Sequence, residues 1–495
     1  MRCLIWACCL LTCAAPVAVF AACADLTALS ISDVRIQTAQ EVAGGALMPP
    51  GMEDVSGLPV FCRIVAVAAP TSDSDIHFEV WIPSAGRWNG KLLGTGNGGF
   101  AGSINYRAMA SAVGRGYATV GSDTGHSGDQ MEFGDGHPEK IIDWAYRAVH
   151  VTTQAAQQIV RAMQGRAPAH SYFEGCSTGG QQALSEAQRY PDDYEGVIAG
   201  APGNDRIRLI LGFLWSWTAL HDARGEPLLS APQLELLTRK VTQRCDANDG
   251  LSDGIIGDPR RCQFEPLSLV CTGTPSDTCL TRKQVEAVRK VYGGAHNSRT
   301  GQPLFPGWVR GSEAGWGNYL LDPREPPRLG LFRHFAAHDP TWDWRSFDWD
   351  HDVVRVEAQV PYLSAVSRDL TKFRARGGRL LMYTGWADPV VPPTNVVSYY
   401  ESVARAAGGI ARTGEFFRLF AFPGMGHCGG GPGFNTFDAL SVLEDWVERG
   451  RAPRQIVASR TMNGVQQSRP VCVYPKTAKL TGRGAITVAE NFTCE

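Results

Sequence analysis

The segment Gly175-Cys176-Ser177-Thr178-Gly179-Gly180 carries the pattern G-x-S-x-G, a turn so tight that it needs a strand before it, a helix after it and glycines flanking the serine. The surroundings supply both elements. His170 to Gly175 reads as a strand, and Gly180 to Ala187 reads as a helix. The cysteine before the serine adds a second constraint, because Cys428 follows a histidine in Gly424-Met425-Gly426-His427-Cys428-Gly429. A bond between Cys176 and Cys428 would bring Ser177 and His427 together from distant parts of the chain.

The rest of the cysteine pattern leaves those two for each other. Met1-Arg2, an apolar run from Leu4 through Phe20 and the small-residue exit at Ala21 describe an export signal over residues 1–21, cut after Ala21. A membrane anchor and a lipoprotein cut before Cys23 are the competing readings; Pro16 within the run and Phe20 near the cut speak against them. Of 14 cysteines, Cys3, Cys8, Cys9 and Cys13 depart with the signal. The remaining even set argues for disulfides in an oxidising compartment rather than zinc ligands. Spacing suggests Cys23–Cys62, Cys245–Cys262, Cys271–Cys279 and Cys472–Cys494, with Cys176–Cys428 as the remainder.

No other stretch has the apolar length of a membrane span, so the mature chain is expected off the membrane, secreted or periplasmic. A formal net charge of −2 provides neither a basic face for nucleic acid nor an acidic tail, so the expected partner is a small molecule. Oligomeric state is not legible. Asn491-Phe492-Thr493 is a formal glycosylation site, silent behind a bacterial-looking export signal.

At 495 residues the chain has room for several layers of structure. Strands are expected at Phe78–Pro83, Lys91–Gly94, Tyr117–Gly121, Gly378–Gly385 and Phe416–Phe422, with a long amphipathic helix from Trp144 to Met163. A glycine-rich turn, Gly94 to Gly102, follows the second of these strands. From about Asn204 to Val356 the texture changes to tryptophans (Trp215, Trp217, Trp308, Trp316, Trp342, Trp344, Trp349), proline runs and four clustered cysteines. The expected class is α/β, an α/β-hydrolase core in two parts, 22–204 and 357–495, around a large inserted lid, 205–356. No internal repeat of solenoid period is present.

A serine hydroxyl is a weak nucleophile and needs a base, which in turn needs a group to orient it. Ser177, Asp388 and His427 follow one another in the α/β-hydrolase order, the acid and the histidine each on a loop after a strand. Asp438 and Asp445 also lie near His427 but fall in an expected helix, and His126 and His137 read as loop residues. Cys176 as a thiol nucleophile is the weaker alternative, since the exposed elbow position belongs to Ser177 between Gly175 and Gly179. An oxyanion needs aimed donors. The N–H of Thr178 is one, and the second is expected from Gly98 or Gly99; that turn lacks the ending of a phosphate-binding loop. In the lid, Asp246 to Ile255 packs carboxylates around turn glycines, an oxygen-rich loop suited to Ca²⁺ though not an EF-hand; a solvated acidic turn is the alternative.

These residues together resemble the tannase and feruloyl esterase family, marked by a CS-D-HC arrangement: here Cys176-Ser177, Asp388 and His427-Cys428. The turn Gly96-Asn97-Gly98-Gly99-Phe100-Ala101-Gly102, the acid loop Gly385-Trp386-Ala387-Asp388-Pro389 and the acidic lid segment extend the match. The resemblance implies a lid inserted after the sixth strand, a disulfide beneath the triad and a structural Ca²⁺ on Asp246, Asp249 and Asp253 with the main-chain oxygens of Leu251 and Ile255. It implies aromatic-acid esters as substrates: gallate, ferulate and other hydroxycinnamates, or chlorogenate, with mono(2-hydroxyethyl) terephthalate hydrolases also similar. The chain departs at Thr384, where relatives often carry histidine, and at Val390 and Val391, positions the resemblance assigns to the acyl pocket. The expected activity is therefore a serine esterase; a broad carboxylesterase and an inactive hydrolase fold used for binding are the alternatives.

Overall fold

The computed structural model describes residues 21–47, 55–84, 86–321, 324–482 and 484–495. The expected export signal, with Cys3, Cys8, Cys9 and Cys13, lies outside them apart from Ala21. Among the described residues nine strands form one sheet: β1 Val34–Val42, β2 Phe61–Ala68, β3 Ile76–Pro83, β4 Lys91–Thr95, β5 Ala118–Ser122, β6 His170–Cys176, β7 Gly196–Gly200, β8 Arg379–Gly385 and β9 Phe417–Phe422. Their spatial order is β1-β2-β3-β5-β4-β6-β7-β8-β9. The first three pairings are antiparallel, and every pairing from β5 to β9 is parallel. Parallel strands need crossovers, and these are helices that cover both faces, which is why Val197-Ile198-Ala199 and Leu380-Leu381-Met382 are apolar without alternation and wholly buried.

The helices used below are α1 Tyr106–Gly114, α2 Ala148–Gln164, α3 Thr178–Arg189, α4 Arg206–Leu220, α5 Ala231–Cys245, α6 Arg282–Gly293, α7 Pro393–Ala407 and α8 Ala439–Arg449. Helix α2 buries Ala148, Val149, Thr152, Ala155, Ala156, Ile159 and Val160 at helical spacing and stops at Gly165, which takes the left-handed conformation that ends a helix. A π turn, Asp143–Arg147, precedes it, so the amphipathic stretch read from Trp144 is two elements rather than one. Strand β1 escaped sequence reading because it is an edge strand with no fully buried residue, and β7 because five residues without polar alternation carry little periodic signal.

The insertion follows β7, the seventh strand and not the sixth, because β1 adds a strand at the edge. Among the described residues between β7 and β8, no strand joins the main sheet. The inserted chain is closed locally by Cys245–Cys262 and Cys271–Cys279. Its core is not separate, however. Leu209, Phe213, Leu237, Val288, Trp308 and Trp316 of the insertion belong to one hydrophobic cluster with Ala183 of α3, Leu380 of β8, Val396 of α7 and Leu419 of β9. At the C-terminus, an antiparallel ribbon of Gln455–Met462 and Val465–Cys472 is tied by Cys472–Cys494, and Cys23–Cys62 pins the N-terminal segment to β2. With its sulfur in that bond, Cys23 has no thiol left to carry a lipid.

Candidate active site

Strand β6 ends at Cys176, and α3 begins at Thr178; Ser177 alone makes the turn, at φ 64° and ψ −116°. A non-glycine residue held at positive φ is strained, and the surrounding bonds impose it. The Ser177 N–H donates to the Gly200 carbonyl at 2.9 Å, and the Ser177 carbonyl accepts from Gln181 N–H at 3.1 Å and Gly203 N–H at 3.2 Å. The helix can fold back this sharply only because Gly175 and Gly179 lack side chains: a Cβ on Gly175 would stand 2.5 Å from the Gly179 carbonyl carbon.

Asp388 sits on the loop after β8 and is fully buried. Its Oδ1 accepts from the N–H groups of Val390 at 2.8 Å and Val391 at 2.9 Å. Its Oδ2 accepts from His427 Nδ1 at 2.8 Å. The imidazole comes from the loop after β9, with 16% of its side chain exposed. The acid and histidine loops are held side by side by Trp386 N–H on the Phe422 carbonyl and Ala387 N–H on the Met425 carbonyl, both 2.9 Å.

Cys176 and Cys428 are disulfide-bonded across a sequence separation of 252 residues, with their Cα atoms 5.9 Å apart. Since bonded residues have Cα atoms about 3.8 Å apart, this bridge confines the Cα atoms of Ser177 and His427 to within roughly 14 Å of each other. Asp438 and Asp445 are occupied elsewhere. Asp438 caps α8 and pairs with Arg115 at 3.1 Å, and Asp445 pairs with Arg449 one turn along. His137 bonds Asp73 at 2.6 Å, while His126 stacks on Phe133 and burial pushes it down to about 4.

The glycine turn after β4 is fastened to the elbow at several points. Asn97 and Gln182 exchange two 3.0 Å hydrogen bonds, and Gly179 N–H donates to the Asn97 carbonyl at 2.7 Å. The Thr178 hydroxyl donates to the Gly99 carbonyl at 2.5 Å, and Asp129 accepts from Phe100 N–H at 3.1 Å. Among the described residues, the N–H groups of Thr178, Gly98 and Gly99 have no protein acceptor. Gly98 is exposed, and a Cβ built on it would meet nothing within 4 Å. Sequence reasoning missed Gln182, Asp129 and Trp144, whose indole donates to the Phe100 carbonyl at 2.7 Å; they come from three separate segments and carry no motif.

Trp308 of the insertion, 1% exposed, donates its indole N–H to the Pro389 carbonyl at 2.7 Å, so the insertion braces the acid loop directly. Trp316 is likewise buried, while Trp342, Trp344 and Trp349 are half-buried and pack on other aromatics. Val390 and Val391 are buried in the cluster shared with the insertion, and the buried Thr384 hydroxyl has no partner among the described residues. On β6, three residues before Ser177, burial pushes the Glu174 carboxyl up to about 7, with a smaller opposing pull from Arg115.

In the acidic loop of the insertion, Asp246 Oδ1 accepts from the N–H groups of Asp253 at 3.1 Å, Gly254 at 3.1 Å and Ile255 at 3.2 Å. Asp249 Oδ1 accepts from Leu251 N–H at 3.0 Å, and burial raises its carboxyl above the usual range. Asp253 Oδ1 accepts from Ile255 N–H at 3.1 Å, and its Oδ2 accepts from Arg469 of the C-terminal ribbon at 2.6 Å. The donor set is wholly oxygen. Among the described residues no three acidic, imidazole or thiol side chains are grouped to hold a metal ion. A cation in this loop would have to draw on main-chain carbonyls as well, as Ca²⁺ does with its roughly 6–8 oxygen ligands.

Residues 62–495 match the family described as Tannase and feruloyl esterase. An uncharacterized esterase of Xanthomonas campestris pv. campestris is 39% identical, over 96% of this chain and 91% of that protein. Mono(2-hydroxyethyl) terephthalate hydrolase of Piscinibacter sakaiensis is 31% identical, over 92% and 88%. The crystal structure of feruloyl esterase B from Aspergillus oryzae superposes with a TM-score of 0.89 at 29% identity, over 94% of this chain and 98% of that one. With this match over most of its length and an α/β-hydrolase core carrying a large insertion, the chain belongs to the tannase and feruloyl esterase family and is a carboxylic ester hydrolase.

Proposed function

We propose that the protein is an exported serine esterase that cleaves esters of aromatic acids, feruloyl, galloyl or related, through Ser177, His427 and Asp388. The observation that carries this reading is the Cys176–Cys428 bridge, which joins a strained serine turn to an imidazole already oriented by a buried carboxylate. Asp388 bonds Nδ1 of the ring and so leaves Nε2 as the basic nitrogen. Ser177 Oγ attacks the ester carbonyl carbon while His427 Nε2 takes its proton. The resulting oxyanion is held by the N–H of Thr178 and an N–H of Gly98 or Gly99. Collapse breaks the ester C–O bond, and His427 returns the proton to the departing alcohol. Water then attacks the acyl-serine by the same route and releases the acid. Export is supported by five disulfides and the leader-like residues 1–21; among the described residues no helix is long and apolar enough to cross a membrane.

Purified protein assayed in parallel on methyl ferulate, methyl gallate, chlorogenate, mono(2-hydroxyethyl) terephthalate and 4-nitrophenyl butyrate is expected to give its highest kcat/KM on one of the aromatic-acid esters. The terephthalate monoester stands among them because of the 31% identical relative. A higher value on the butyrate overturns the aromatic reading in favour of a broad carboxylesterase. Failure on all five overturns the aromatic-ester reading and points to an ester outside this set.

The acidic loop belongs to the same proposal as a structural Ca²⁺ site, with the carboxylates of Asp246, Asp249 and Asp253 and the carbonyls of Leu251 and Ile255 as ligands. Bound there, the cation neutralises neighbouring carboxylates and takes no part in the chemistry. Treatment with EGTA is expected to lower Tm by several degrees, with recovery on adding Ca²⁺ and not Mg²⁺, since a ligand that binds only the folded state stabilises it. An unchanged Tm removes the site.

A further inference from the structure

Arg206 opens α4 beside the serine turn and is 1% exposed. Its Nε donates to Gln181 Oε1 at 2.7 Å and its Nη2 to Thr178 Oγ1 at 2.9 Å, with its guanidinium carbon 5.7 Å from the centre of the Trp144 ring. All three partners are neutral. Among the described residues Arg206 forms no ion pair, and the charged group that acts on it, Arg328, has the same sign. Burial, reinforced by Arg328, pushes the guanidinium down to about 9, so it remains cationic at neutral pH.

A buried cation without a counter-ion is costly, and folds rarely keep one in a passive role. The contacts of Arg206 converge on the site. The Thr178 hydroxyl it bonds is the one that donates to the Gly99 carbonyl, and the Trp144 indole under it holds the Phe100 carbonyl. One side chain thus contacts the first turn of α3 and, through Thr178 and Trp144, backs two successive carbonyls of the glycine turn, Gly99 and Phe100. Thr178 also carries the free main-chain N–H at the serine.

We infer that Arg206 is a positioning residue for the oxyanion: it fixes the Thr178 N–H through the threonine side chain and sets an uncompensated positive charge beside the place where the tetrahedral intermediate becomes negative. This rests on the serine-esterase reading above. In the resting enzyme the guanidinium lacks an anionic partner, and the intermediate supplies one. The interaction is therefore stronger in the transition state than with bound substrate and belongs in kcat rather than KM.

Arg206→Met, Arg206→Lys and Ser177→Ala are compared on 4-nitrophenyl acetate, with Tm measured for each. Arg206→Met is expected to fold with an unchanged or raised Tm, since it removes an unpaired buried charge, and to lose roughly 10- to 50-fold in kcat, less than a direct oxyanion donor is worth, at little change in KM. Arg206→Lys keeps the charge and is expected to recover most of that loss. Wild-type kcat in Arg206→Met overturns the inference, and so do equal losses in the Met and Lys variants, which would signify packing alone. Should the Met variant not fold, Arg206→Gln replaces it against Lys with the same readings. If Ser177→Ala is inactive while Arg206→Met keeps full kcat, only this inference fails; if Ser177→Ala is active, the esterase reading beneath it fails too.

Discussion

Ser177→Ala is expected to abolish ester turnover, a loss of at least about a thousandfold in kcat, while Tm stays at or slightly above the wild-type value. The hydroxyl is the only group at this position that can form the acyl bond. The strain of the turn, φ 64°, is set by backbone bonds to Gly200 and Gly203 that alanine keeps. His427→Ala is expected to cost about as much, and the double variant no more than either alone, as the proposed roles of nucleophile and base require of groups that act as a unit. Initial rates on 4-nitrophenyl acetate with calorimetry on the same samples decide the matter. Activity near wild type in the folded serine variant ends the assignment.

Joint replacement of Cys176 and Cys428 by serine is expected to destabilise the protein by about 5 kcal/mol and to lower kcat by one to two orders of magnitude. The stability loss follows from the length of the closed loop, a separation of 252 residues, whose denatured chain gains the most freedom when the bond is absent. The loss of rate has a different origin: Cys176 is one residue from Ser177 and Cys428 one residue from His427, the proposed nucleophile and base. Replacing Cys271 and Cys279, separated by eight residues, is the control. That bond is worth about half as much by the same relation and flanks neither Ser177 nor His427, so stability falls modestly and kcat holds. A Cys176/Cys428 variant with full kcat would show that the two loops find each other without the bond.

How much was legible in the chain depended on whether a residue acts through its neighbours in sequence or across space. The serine turn was legible because its glycines, strand and helix are contiguous, and the Asp388 and His427 loops because each follows a strand with a recognisable apolar run. Among the described residues the five disulfides are the expected pairs: four join cysteines 8 to 39 residues apart, and Cys176–Cys428, 252 apart, is what nearest-neighbour pairing leaves over. Arg206 was not legible: nothing in Asn204-Asp205-Arg206-Ile207 distinguishes a buried cation from a surface one, and its role depends on Thr178, Gln181 and Trp144 converging from other segments. The tryptophans of the insertion were visible as a compositional change, but their destinations were not. Trp308 reads like its neighbours and yet reaches the carbonyl after Asp388.

The apolar cluster that runs without interruption from α3 and β8 into the insertion makes the inserted chain inseparable from its host. Excising it and rejoining β7 to β8 would strip the cover from Ala183, Leu380 and Val396 and leave a bare greasy wall on the catalytic half. Evolution can therefore retailor the loops on the outside of the insertion freely, but it cannot discard or transplant the module as a cassette, and any change to its inward face must be matched by compensating changes in the helices it rests upon.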